Sequence, residues 1–156
     1  MKSLKLILIT LSVILLQGCA SYYTEIITQP QEMIVDVGGE SKEDLYIRAN
    51  TWMVETFSNA SSVIQFSDKE NGIITGKYLM KEIVTSTTTS EYVYSNIKIQ
   101  VRDGSTKITI TPNPYYNRGN VMAGGEKYPK EKLIFDIEKL MEDFGNKIIH
   151  VENDDW

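Results

Sequence analysis

Residues 31 to 37 alternate, with Met33, Val35 and Val37 on one side and Glu32, Ile34 and Asp36 on the other. A period of two predicts a strand, and Gly38-Gly39 ends it. The period then becomes helical. Leu45, Ala49, Trp52, Met53, Thr56 and Phe57 recur at spacings of three and four and form one apolar stripe. Lys42, Glu43, Arg48, Asn50 and Glu55 fall on the other faces. Ser41, with an acid three residues on at Asp44, supplies a capping-box start. Asp44 is shorter than the usual Glu, which weakens the reciprocal bond. The helix is expected over residues 42 to 58.

Hairpin signals follow. The stretch "VIQFSDKENGIITGKYLMKEIV" holds two apolar strands around Glu70-Asn71-Gly72. Asn-Gly marks a hairpin because a type I′ turn needs positive φ at both central positions. The run of Thr and Ser from Thr85 to Ser90 reads as a solvated hairpin end. Asp103-Gly104 is a second two-residue turn. Closing it pairs Val101 with Thr106, Ile99 with Ile108 and Ile97 with Ile110 on one face. It pairs Arg102 with Ser105, Gln100 with Lys107 and Lys98 with Thr109 on the other. A slip of one residue would bury the polar set, so the register is well specified, with one buried face and one wet face.

Residues 112 to 129, rich in Pro, Gly and Asn, read as a long irregular stretch. Pro129 stands at the favoured first position of a second helix. Leu133, Ile137, Leu140, Met141, Phe144 and Ile148 form its apolar stripe, and Gly145 is expected to end or weaken it. The order is therefore strand, helix, four strands, helix. A parallel α/β enzyme would alternate helix and strand throughout. The expected fold class is α+β: a curved antiparallel sheet of about five strands with both helices packed on one face. The domain is expected over residues 31 to 150, with an acidic tail at 151 to 156.

Several of these positions carry a family resemblance. Asp44-Leu45-Tyr46, Ala49, Trp52 and Phe57, then Ser62-Val63-Ile64-Gln65, Gly72, Gly76-Lys77, Ile97-Lys98-Ile99 and Arg102-Asp103-Gly104 resemble the bacterial family called domain of unknown function 4468. The likeness covers roughly residues 31 to 115. It implies a TATA-binding-protein-like topology and an origin among lipoproteins of Gram-negative gut bacteria. It implies no activity and no functional residues, because the shared positions belong to turns and core.

The first residues change the picture of location. Lys2 and Lys5 precede an apolar run from Leu6 to Leu16, which has signal-peptide length and falls short of the roughly 20 residues of a membrane span. Leu16-Gln17-Gly18-Cys19 resembles a bacterial lipobox, although Gln17 departs from the usual small or aliphatic residue. Residues 1 to 18 are expected to be a lipoprotein signal peptide, and Cys19, the one cysteine in the chain, the lipidation site. Several acyl chains of the palmitate class would hold the protein stably on a membrane, where one chain would not. Residues 19 to 30 read as a tether. The expected place is the bacterial cell envelope, as an outer-membrane lipoprotein facing the periplasm, since no cluster of acids follows Cys19. The formal charge is −5 over 156 residues, and loss of Lys2 and Lys5 makes it more negative. Phosphate backbones repel such a chain, so nucleic acid is not an expected partner.

The residues offer little catalytic chemistry. His150 is the one histidine, and Cys19 the one thiol, so a zinc site lacks ligands. Glu152, Asp154 and Asp155 lack the spacing of a calcium loop. Ser95-Asn96-Ile97-Lys98 matches a Ser-x-x-Lys nucleophile motif, but on a strand an offset of three puts the pair on opposite faces. No catalytic residue, metal or cofactor is expected.

What remains is surface. The wet face of the strand from Tyr92 to Arg102 carries Tyr92, Tyr94, Asn96, Lys98, Gln100 and Arg102. The following loop adds Tyr115, Tyr116, Asn117 and Arg118. Tyr and Arg are favoured at interfaces because each joins contact area to a hydrogen-bonding tip. Tyrosines also suit any solvated strand. The favoured expectation is a non-catalytic binding or assembly module that docks an envelope protein, peptide or glycan. The other readings are an envelope hydrolase built from scattered Asp, Glu and Tyr, and a purely structural lipoprotein. A deep pocket with two close carboxylates would favour the hydrolase.

Overall fold

A computed structural model describes residues 23–26, 28–58, 62–86, 89–118 and 128–150. The expected signal peptide at 1–18, Cys19 and the expected acidic tail at 151–156 lie outside the described residues. The elements run β1 (Tyr23–Ile26), β2 (Gln31–Asp36), α1 (Lys42–Thr56), β3 (Val63–Asp68), β4 (Ile73–Ser86), β5 (Thr89–Arg102), β6 (Ser105–Pro112), β7 (Tyr115–Arg118) and α2 (Lys130–Ile149). Five antiparallel strands form the main sheet in the order β2-β6-β5-β4-β3, and β1 pairs with β7 in a separate ribbon. This is the expected α+β architecture. No helix among the described residues is long and apolar enough to cross a membrane.

The β5–β6 hairpin closes in the expected register, from Arg102 opposite Ser105 to Ile97 opposite Ile110. Gly104 takes φ of 71° in its turn, which costs glycine little. That turn also anchors α1. The Asp103 carboxylate accepts the Lys42 backbone N–H at 2.8 Å, and the Gly104 N–H donates to the Glu40 carbonyl at 2.9 Å. Ser41 caps the same end: its hydroxyl oxygen accepts the Asp44 N–H at 3.1 Å and its O–H donates to the Asp44 carboxylate at 2.6 Å. Two orphan helix donors are thus satisfied at once.

The helices meet the sheet through a continuous core. Leu45, Ala49 and Met53 of α1, Leu133, Ile137, Phe144 and Ile148 of α2, and Ile74, Ile99, Ile108 and Ile110 of the sheet are fully buried. Trp52 packs edge-on against Phe144 with ring centroids 5.0 Å apart.

Several expectations need correction. The tether expected over 19–30 contributes β1, and the stretch after Pro112 contributes β7, paired from Tyr23–Arg118 to Ile26–Tyr115. Four-residue strands are too short to display a period against turn-rich flanks. The β3–β4 connection spans four residues, because Asp68 and Ile73 are the last pair. Gly72 takes positive φ there, at 65°, but a four-residue loop is too long for the two-residue type I′ turn. Helix α1 stops at Thr56, capped by Phe57. Pro129 sits one residue before α2 as its N-cap. Gly145 does not end α2. It is buried within the helix, where a Cβ would stand 3.4 Å from Met33 Cε, in ordinary contact with β2.

Candidate functional site

The two helices cover one face of the sheet and leave the other open. Along β5 the pleat therefore buries Val93, Ser95, Ile97, Ile99 and Val101 and sends the alternate residues outward. Tyr92, Tyr94, Asn96, Lys98, Gln100 and Arg102 stand in one row on the open face, as the sequence pattern predicts. Ser95 is buried on the opposite face to Lys98, so the Ser-x-x-Lys match brings no nucleophile and base together.

The row has two halves. β6 ends at Pro112, opposite Ser95, and the Asn113 N–H donates to the Tyr94 carbonyl at 2.9 Å, so beyond Tyr94 β5 pairs with β4 alone. Tyr92 lies on this projecting arm and Tyr94 at its root. Their ring centroids are 6.4 Å apart and their planes tilt by 33°. The Lys77 ammonium sits 3.9 Å from the Tyr94 centroid, within cation–π range. The β4–β5 register shifts between Leu79 and Lys81, and this bulge places Glu82, rather than Lys81, opposite Tyr92. The Glu82 charge, and then a hydrogen bond to Glu82, push the Tyr92 phenol above its ordinary range. Tyr92 remains 50% exposed.

The inner half is cationic. Lys98 lies between Thr75 and Thr109, and Gln100 between Ile73 and Lys107. Two carboxylates on this face, Glu32 and Asp68, are engaged locally. Glu32 holds Lys107 at 2.8 Å, and that bond keeps its carboxyl below the ordinary range. Asp68 accepts from the Asn71 side chain and backbone, which lower it likewise. Lys98 and Arg102 have no side-chain partner among the described residues. Beside Arg102 lies a depression of about 390 Å³ lined by Ile34, Ile73, Gln100, Arg102, Ser105 and Lys107.

The second set of candidates separates. Tyr115 is not a surface residue: it is 7% exposed, and its O–H donates to the Tyr128 carbonyl at 2.7 Å. Burial, with a smaller contribution from Glu131, pushes its phenol up to about 12. In β7 its position opposite Ile26 turns it onto the core, an arrangement hidden by the irregular composition around it. Tyr116 is 53% exposed. Arg118 stands opposite Tyr23 in the ribbon register.

A groove that the sequence did not reveal lies between the helices. It has a volume of about 930 Å³, and Trp52, Tyr78, Met80, Leu140, Asp136 and Asp143 line it. Its walls come from three elements distant in sequence. Its two aspartates are seven residues apart on α2, a rise of about 10 Å. Asp136 accepts from the Tyr128 O–H at 2.8 Å and pairs with Lys132, while Asp143 accepts from Trp52 Nε1–H at 2.8 Å. They do not form the close carboxylate pair that the hydrolase reading needs. Among the described residues no group of three or more His, Cys, Asp or Glu is placed to hold a metal.

A family model described as "Domain of unknown function (DUF4468) with TBP-like fold" matches residues 32–116. The fold is similar to the crystal structure of a TBP-like protein from Parabacteroides distasonis, at TM-score 0.58 and 17% identity over 79% of this chain and 94% of that one. It is also similar to the crystal structure of a DUF4468 family protein from Bacteroides ovatus, at TM-score 0.52 and 17% identity over 80% and 88%. No curated protein matches the chain. At such identity the likeness carries the fold alone.

Proposed function

This chain belongs to the DUF4468 family of TBP-like fold, and from that premise we propose that it is a lipid-anchored protein of the bacterial cell envelope, a non-catalytic module that binds a partner through its open sheet face. The observation that carries the reading is the row on β5. Aromatic rings occupy one half, and Lys98 and Arg102, free of carboxylates, occupy the other. A chain with formal charge −5 gathers cations at the centre of an uncovered surface, which suits an envelope protein, peptide or glycan that presents anionic and planar groups. The anchor rests on the lipobox at Cys19.

Crosslinking pull-downs from native envelopes test the face. The Tyr92→Ser/Tyr94→Ser protein is expected to fold, with stability within about 1 kcal/mol of wild type, because Tyr92 is exposed and neither side chain belongs to the core. It is expected to lose the partner that wild type captures. A partner held equally by both proteins would remove the open face from the account.

A further inference from the structure

The groove between α1 and α2 lies in the helix layer, away from the open face, and nothing in the reading above uses it. Its construction starts at Gly76. A Cβ there would stand 2.5 Å from the Phe57 ring and 2.8 Å from Met53 Cε, so glycine lets the end of α1 settle directly on β4. The Phe57 ring then packs at a tilt of 41° against Tyr78, with centroids 5.4 Å apart. Beyond that contact Tyr78 and Met80 form, with Leu140, an apolar wall of the groove.

The polar groups in the groove are unevenly satisfied. Lys147 is held by Glu55 at 3.1 Å, and Lys132 by Asp136. The Lys139 ammonium lies 4.8 Å from the ring centroid of Phe135, which does not line the groove. Asp143 gives one oxygen to Trp52, and its other oxygen has no partner among the described residues. The Tyr78 hydroxyl has none either, although it is half-buried and both Asp136 and Asp143 act on it electrostatically. Lys147 is paired and Lys139 is drawn towards the Phe135 ring outside the groove, while a carboxylate oxygen and a phenol remain open beside an apolar wall.

We propose that this groove binds a small organic cation, a primary amine on an aliphatic stem of several carbons. The ammonium donates to the free Asp143 oxygen and to the Tyr78 oxygen, and the stem lies along Tyr78, Met80 and Leu140. The volume of about 930 Å³ falls in the range of small-molecule sites, which combine apolar lining with a few convergent polar groups. A charge-assisted bond to the exposed Asp143 carboxylate at the groove's rim is the specific anchor.

Hexylamine, hexanol and hexanoate are the probes, titrated against the folded protein while the Trp52 indole N–H resonance is followed. Hexylamine is expected to shift that resonance saturably and to bind at least about tenfold more tightly than hexanol or hexanoate. Asp143→Asn keeps an acceptor for Trp52 and removes the charge, and it is expected to weaken the amine about tenfold or more. Tyr78→Phe tests the second contact without touching Trp52 and is expected to weaken it severalfold. Equal binding of hexanol would reduce the site to an apolar slot. Preference for hexanoate would assign it to Lys139 and Lys147 as an anion site. Either result, or no binding at all, overturns the proposal. The Tyr92→Ser/Tyr94→Ser protein is expected to bind hexylamine normally, so this test stands or falls apart from the open face.

Discussion

At the scale of single residues, the same residue type performs opposite tasks according to which way the backbone turns it. Tyr92 and Tyr94 project from the open face, while Tyr115 and Tyr128 are core residues whose rings pair at 5.9 Å. The buried phenols carry a pH dependence. Tyr115 ionises near 10 in the unfolded chain and about 12 in the folded one. Tyr128 is pushed further up, by burial first and then by donating to Asp136. Between those two values the unfolded chain binds fewer protons than the folded one, so stability falls as pH rises. Urea unfolding measured from pH 9 to pH 12 is expected to show constant stability up to about pH 10. Above that, a loss of order 1 kcal/mol is expected after solvent screening. A midpoint that holds steady through pH 12 would contradict the burial of these hydroxyls. Tyr92 and Tyr94 were legible in sequence because they extend a strand whose alternation runs on to Arg102. Tyr115 was not, because Pro112, Asn113, Pro114 and Asn117 around it advertise a loop.

At the scale of elements, glycines show how tightly helix and strand are fitted, and two of them give opposite expectations. Gly76 faces the Phe57 ring at a distance no real Cβ tolerates, 2.5 Å, whereas Gly145 has its nearest neighbour at 3.4 Å, within ordinary contact. Gly76→Ala is expected to lift α1 off β4 and lower stability by about 1–3 kcal/mol. Gly145→Ala is expected to raise it by about 0.5–1 kcal/mol, because alanine is the better helix former in the interior of α2. Thermal unfolding of the two variants side by side checks the pair, and equal signs would contradict the packing described. Hairpin β5–β6 was readable because Asp103-Gly104 fixes the turn and four isoleucines fix the faces. Gly145 is expected from sequence to end or weaken α2, since sequence shows the weak helix propensity of glycine and not the strand lying over it. The ribbon of β1 and β7 joins residues nearly a hundred positions apart, and no local pattern announces it.

At the scale of the whole molecule, fold and family were legible because turn residues, strand alternation and helix stripes agreed with one another. The open face followed from the same alternation. The groove did not, since Trp52, Tyr78, Asp136 and Asp143 meet only once two helices and a strand have packed. The anchor belongs to this scale too. Metabolic labelling with palmitate is expected to mark the wild-type chain and not Cys19→Ala, with the unlabelled variant lost from the membrane fraction. Labelling that survives the substitution would place the lipid elsewhere or remove it. The most direct test of the central claim is photo-crosslinking in the intact envelope, with a photoreactive side chain placed at Gln100 on the open face or at Val54, which is 58% exposed on α1. The account predicts a discrete adduct from Gln100 and none from Val54. An adduct from Val54 alone, or from neither position, would contradict a partner docked on the sheet.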